Sequence, residues 1–143
     1  MRKQTKKGLK AIETKLDREY QDFFRDLCWH FGIRCEISGE IMELCHHYIE
    51  KSKSGALRYN LINFVPIIQK VHCAIHMSKG DSTNSNKIVL HRGIKWALQI
   101  ELLRNTTISK DWKYYSDARI QLEKMKERRE ELVKSYKEKG YFI

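Results

Sequence analysis

Residues 45 to 52 read CHHYIEKS, which places two of the chain's six histidines side by side in a stretch that alternates between apolar and polar. That alternation marks a half-buried strand, and adjacent side chains on a strand point to opposite faces. His46 and His47 therefore meet different surroundings. Upstream, IRCEISGEIMELCHHYI (33–49) forms two short alternating runs around Ser38-Gly39, a hairpin signal. Downstream, residues 51–60 turn polar, with Gly55 suggesting a loop, and NFVPIIQ (63–69) reads as a second strand. Pro66 lacks an N–H for a ladder, so this strand is expected at an edge or to end early.

Outside this β region the periodicity is helical. Leu9, Ile12, Leu16, Tyr20, Phe23, Phe24, Leu27 and Phe31 recur at steps of three and four, giving a broad apolar face that ends at Gly32. The other face is basic, with Lys3, Lys6, Lys7, Lys10, Lys15 and Arg18. Helical spacing returns in QKVHCAIHMSKG (69–80), and KGDSTNSNK (79–87) has the composition of a solvated loop. Two further helices are expected, one from Ile88 to Arg104 and one from about Ser109, as N-cap, to Lys139. Tyr115, Ala118, Leu122, Met125, Leu132 and Tyr136 give the last a coiled-coil seam, which suggests a homodimer through the C-terminal helix. The fold class is α+β and mostly helical. One domain over 1–143 is expected, comprising a basic N-terminal helix (1–32), a small core (33–78) and a helical extension (88–143).

Composition narrows the partners. There are 28 Lys and Arg against 18 Asp and Glu, a net charge of +10, which favours a polyanion such as nucleic acid, although charge alone does not separate DNA from an anionic membrane. No apolar run reaches 18 residues, and the N-terminal stretch lacks the apolar segment of a signal peptide. An intracellular protein is expected, with Cys28, Cys35, Cys45 and Cys73 as reduced thiols or metal ligands. Cys45 and Cys73 read as buried free thiols, His30 and His91 as surface or packing residues, and Trp29, Trp96 and Trp112 as core.

His72 and His76 stand at i and i+4 of a helix, so both imidazoles leave one face and can share an ion. A zinc-protease reading fails, because Cys73 occupies the position where His-Glu-x-x-His chemistry requires its carboxylate. His46 and His47 precede Asn63 by 17 and 16 residues, and His72 follows it by nine. A His-His strand, a loop, an Asn-bearing strand and a His-x-x-x-His helix together resemble the HNH endonucleases, with their ββα-metal fold, over roughly residues 33 to 78.

The resemblance implies a metal-dependent endonuclease that hydrolyses DNA. His46, His72 and His76 would coordinate one divalent ion, His47 would be the general base, and Asn63 would hold the loop between the strands. Mg²⁺ or Mn²⁺ is expected to support activity, while Zn²⁺ or Ni²⁺ would occupy three imidazoles more readily. Arg58, near the site, is a candidate for gripping the scissile strand, and Lys6, Lys7 and Lys10 for contacting phosphates. Many members of the family carry a structural zinc on two Cys-x-x-Cys pairs. Here those positions read Cys35-Glu36-Ile37-Ser38 and Ile68-Gln69-Lys70-Val71, so apolar packing is expected in place of that zinc. A narrower resemblance, to phage junction-resolving nucleases of the Rap type, rests on the basic helix, the hairpin, the His-bearing strand and LRYNLIN (57–63). It implies branched or recombining DNA as substrate and the cytoplasm of a bacterial or phage-infected cell. The alternatives are a non-catalytic nucleic-acid-binding protein that keeps the fold, and an interaction protein working through its last helix.

Overall fold

A computed structural model describes residues 5–77 and 82–142. Lys3 and residues 78–81, which include the start of the expected loop at 79–87, lie outside the described residues. Helix α1 (Lys6–His30) begins where the Thr5 hydroxyl accepts from the N–H of Gly8, and it buries Leu16, Tyr20, Phe23, Phe24, Leu27 and Cys28. Gly32, at φ +66°, closes it as expected. The N–H of Ile33 reaches back to the Cys28 carbonyl at 2.8 Å and that of Gly32 to Trp29 at 3.4 Å, the reversed pair of bonds by which a left-handed glycine terminates a helix.

The expected hairpin at Ser38-Gly39 is a tight turn rather than two strands. Its arms touch at one bridge, Arg34 to Ile41, with the Cys35 N–H donating to the Glu40 carbonyl at 2.9 Å. The sheet is made further on, by β1 (Leu44–His47) and β2 (Phe64–Ile67), which run antiparallel with His46 opposite Val65 and His47 opposite Phe64. Pro66 pairs across from Cys45 in a sheet where both strands are edges, which is why proline is tolerated there. The intervening polar segment is more ordered than its composition suggests. Gly55 opens a helical turn, α2 (Gly55–Arg58), because the Ser54 hydroxyl caps the Leu57 N–H.

Helix α3 (Gln69–Met77) follows β2 directly, as its spacing predicts. Two corrections concern the C-terminal half. The expected helix from Ile88 starts earlier, as α4 (Thr83–Arg92), and is broken at Gly93 (φ +93°) before α5 (Ile94–Arg104). The long final helix begins not at Ser109 but after Asp111, whose carboxylate caps the Tyr114 N–H, and Arg128 divides it into α6 (Trp112–Glu127) and α7 (Arg129–Glu138).

The seam foreseen as a dimer interface is largely turned inward. Tyr115, Ala118, Leu122 and Tyr136 are buried in the protein's own core, with the Tyr20 hydroxyl donating to the Ala118 carbonyl. Met125 and Leu132 of the seam are only partly buried. Apolar residues of α1, β2, α5, α6 and α7 join one cluster. Trp96 is fully buried, as expected, but Trp29 and Trp112 are about half exposed. Among the described residues no helix is long and apolar enough to cross a membrane.

Buried ionic structure holds the Ser38 turn to the rest. Glu36 and Arg92 are fully buried side chains joined by two bonds, Nε to Oε1 at 2.8 Å and Nη2 to Oε2 at 2.5 Å. Arg92 also donates to the carbonyls of Ile62 and Phe64, and His91 Nδ1 lies 2.7 Å from Glu36. Cys35 is a buried thiol, Ile68 is buried and Val71 packs on the core. Apolar contact plus this ion pair holds this corner together.

Candidate metal centre

His46 lies on β1, whose ladder with β2 fixes its direction, and His72 and His76 lie one turn apart on α3. The three come together. One ring nitrogen from each lies within 4.8 Å of the others, and the ring centroids are 4.4 Å apart for His72–His76, 5.5 Å for His46–His72 and 5.8 Å for His46–His76. His46 is buried, His72 half-buried and His76 exposed, so the group opens to solvent on one side. Its chemistry suits a cation. Burial, with His72, His76 and His47 adding to it, pushes His46 down to about 3, so its imidazole is neutral and free to ligate at neutral pH. The buried Nδ1 of His72 has no hydrogen-bond partner, a polar atom left incomplete by the protein alone. These residues form a group able to hold a metal ion.

His47 turns elsewhere. Its ring packs on Phe64, its partner across the ladder, with centroids 4.4 Å apart. Burial chiefly pushes it down to about 4, with Lys51 and Arg58 acting in the same direction and Asp17 and a backbone hydrogen bond with Arg58 opposing. At neutral pH it can accept a proton. Asn63, wholly buried at the end of the turn before β2, ties the loop after β1 to that turn. Its Oδ1 accepts from the Ile49 N–H at 2.8 Å and its Nδ2 donates to the Ile49 carbonyl at 2.9 Å. Asn63 thus tethers this loop through both ends of its amide.

All four histidines line one open cleft of about 800 Å³, walled on the far side by α1. Lys10 stands on that wall, and Lys6 and Lys7 begin the same helix. No described carboxylate pairs with these three lysines, all exposed. Arg58 departs from expectation. It lines the cleft but is itself buried, with Nε and Nη2 on the two oxygens of Asp17 at 3.0 and 2.7 Å and Glu13 at 3.2 Å. Burial works against its charge, yet Asp17 outweighs this and raises its pKa. A guanidinium so occupied braces α1 against the loop rather than reaching for a phosphate.

Three cleft cations, Arg25, Lys51 and Lys110, escaped sequence reasoning. Lys51 and Lys110 are only loosely paired, with Asp17 at 3.9 Å and Glu13 at 3.6 Å, and both face the cleft. Lys51, four residues beyond His47, was within reach of a sequence argument; Lys110 was not. Cys73, next to His72, is exposed rather than buried, and Cys45 is half-buried. No family model, curated protein or solved structure matches the chain.

Proposed function

We propose that this protein is a metal-dependent endonuclease hydrolysing phosphodiester bonds of DNA, with branched DNA as its substrate class. One observation carries the reading: three imidazoles converge with a ring nitrogen of each within 4.8 Å of the others, beside a fourth, His47, that lines the same cleft. Phosphodiester hydrolysis needs an activated water and a place for developing negative charge. A divalent ion on His46, His72 and His76 would supply that charge compensation.

The chain's own residues do the rest. His47 takes the proton from the attacking water as the oxygen–phosphorus bond forms and the phosphorus–ester oxygen bond breaks, and solvent protonates the leaving oxygen. Phe64 supports the His47 ring, and Asn63 keeps the loop that follows it in place. Lys10, Lys51 and Lys110 offer charge to the phosphates on either side. The test is nicking of supercoiled plasmid with EDTA, with Mg²⁺ and with Mn²⁺. Cutting that EDTA stops and metal restores supports the reading, and full activity after exhaustive chelation removes it.

A further inference from the structure

Trp29 departs most from its expected place in the core. The residue is 53% exposed, yet it is held: Nε1 donates to the Met42 carbonyl at 2.8 Å, and the helix ends one residue later at His30. The guanidinium of Arg25 lies over the ring, 5.3 Å from its centroid. Arg25 also lines the cleft, where its Nη2 donates to Asp22 Oδ1 at 3.2 Å while its Nε has no hydrogen-bond partner and lies 4.0 Å from Asp26. Trp29 forms one wall of a separate groove of about 360 Å³, shared with Ile33, Ile41 and Arg34, in which Ile41 is 67% exposed. A held aromatic face beside an apolar slot, with an arginine on the cleft side and another in the slot, is the chemistry that accepts a nucleobase and its phosphate.

We propose that Trp29 and the groove beside it bind an unpaired base of the DNA strand leaving the cleft past Arg25. This rests on the nuclease reading for its substrate and deepens it. A continuous duplex keeps its bases stacked inside the helix and has none to offer, whereas a branch point or single-stranded arm does. Charge complementarity names the occupant. Arg25 lines the cleft and lies over the Trp29 ring that walls the groove, and Arg34 lines the groove exposed, so a polyanionic strand with apolar bases matches this surface.

The test compares binding of a fluorescent three-way junction carrying a single-stranded arm with binding of a continuous duplex, by anisotropy in EDTA so that neither is cut. Trp29→Ala should weaken junction binding about tenfold or more, the loss expected of one base–aromatic stack, while leaving duplex affinity within about twofold. Trp29→Phe should restore most of the loss. Because Trp29→Ala also removes a hydrogen bond, Ile41→Asp, at an exposed position, provides a second variant and should show the same selective loss. Unchanged junction binding in both variants, or equal losses on junction and duplex, overturns the proposal. Wild-type protein that prefers the junction but nicks no DNA with Mg²⁺ or Mn²⁺ would remove the nuclease reading and support this site. Wild-type protein that binds both DNAs equally removes the site whatever it cuts.

Discussion

The side chain of Asn63 pairs with both backbone groups of Ile49, accepting from its N–H at 2.8 Å and donating to its carbonyl at 2.9 Å. This imitates a strand pairing just where the ladder between β1 and β2 ends. Asn63→Ala would strand both groups in a buried setting and should cost roughly 2–5 kcal/mol, read as a lower urea midpoint. Cleavage by the remaining folded protein should fall as well, since the loop after His47 loses its tether. Asn63→Asp cannot donate to the carbonyl and should recover only part of the stability.

His47 and His76 should separate chemistry from ion binding. His47→Ala leaves the three converging imidazoles intact, so calorimetric titration with Zn²⁺ or Mn²⁺ should match the wild type while plasmid nicking is lost. His76 is exposed, and its removal should leave the fold intact while metal affinity and nicking fall together. A His47→Ala variant that cuts normally, or that loses metal as completely as His76→Ala, would break this division of labour.

Acid should destabilise the metal-free protein well above the carboxylate range. His46 and His47 are held down to about 3 and about 4, chiefly by burial, whereas the same groups in an unfolded chain take up protons near pH 6.5. Between those limits the unfolded state binds more protons, so stability is full above about pH 6.5 and falls as pH drops toward 4. The effect is on the order of a few kcal/mol, read as urea midpoints in EDTA at about pH 7.5 and 4.5. Replacing both histidines with glutamine should flatten the dependence.

Arg92→Met would leave Glu36 buried with only His91 beside it, and should cost about 3–5 kcal/mol as a lower Tm. Chelators should not reproduce that loss, because this corner is held by ionic and apolar contact.

Lys6, Lys7 and Lys10 are exposed, have no described ionic partner and stand at the end of α1 that reaches the cleft, so on the proposed reading they meet the phosphates there. Changing all three to glutamine should make log affinity less steep in log salt by roughly two to three units if each meets a phosphate. An unchanged slope would assign contact to Lys51 and Lys110 instead.

The metal group was legible because its information is local. An i, i+4 pair and a strand dipeptide carry their own geometry, and the ladder then brings them together. Arg58 shows the limit. Its place near the cleft followed from its neighbours, but its partner Asp17 lies 41 residues earlier on the helix whose other face reads simply as basic. The breaks at Gly93 and Arg128 fall within apolar periodicity that continues across them. Helix α5 is apolar on both sides, burying Trp96 and Ile100 while exposing Ile94, Leu98 and Leu102, so periodicity alone does not say which side is inner. Trp29 sits where helical spacing approaches its end, and only the tertiary placement of Met42 reveals that its ring faces out.

Helix α1 carries the far wall of the cleft as one unbroken rod, from Lys10 through Arg25 to Trp29. At 1.5 Å per residue that is a ruler of about 28 Å, comparable to about eight base-pair steps along a duplex. On the proposed reading, the length of strand that lies against the cleft is set by this one element, without a hinge. One residue inserted between Lys10 and Leu16 would turn the lysines by about 100° relative to the buried face that anchors the rest of the helix.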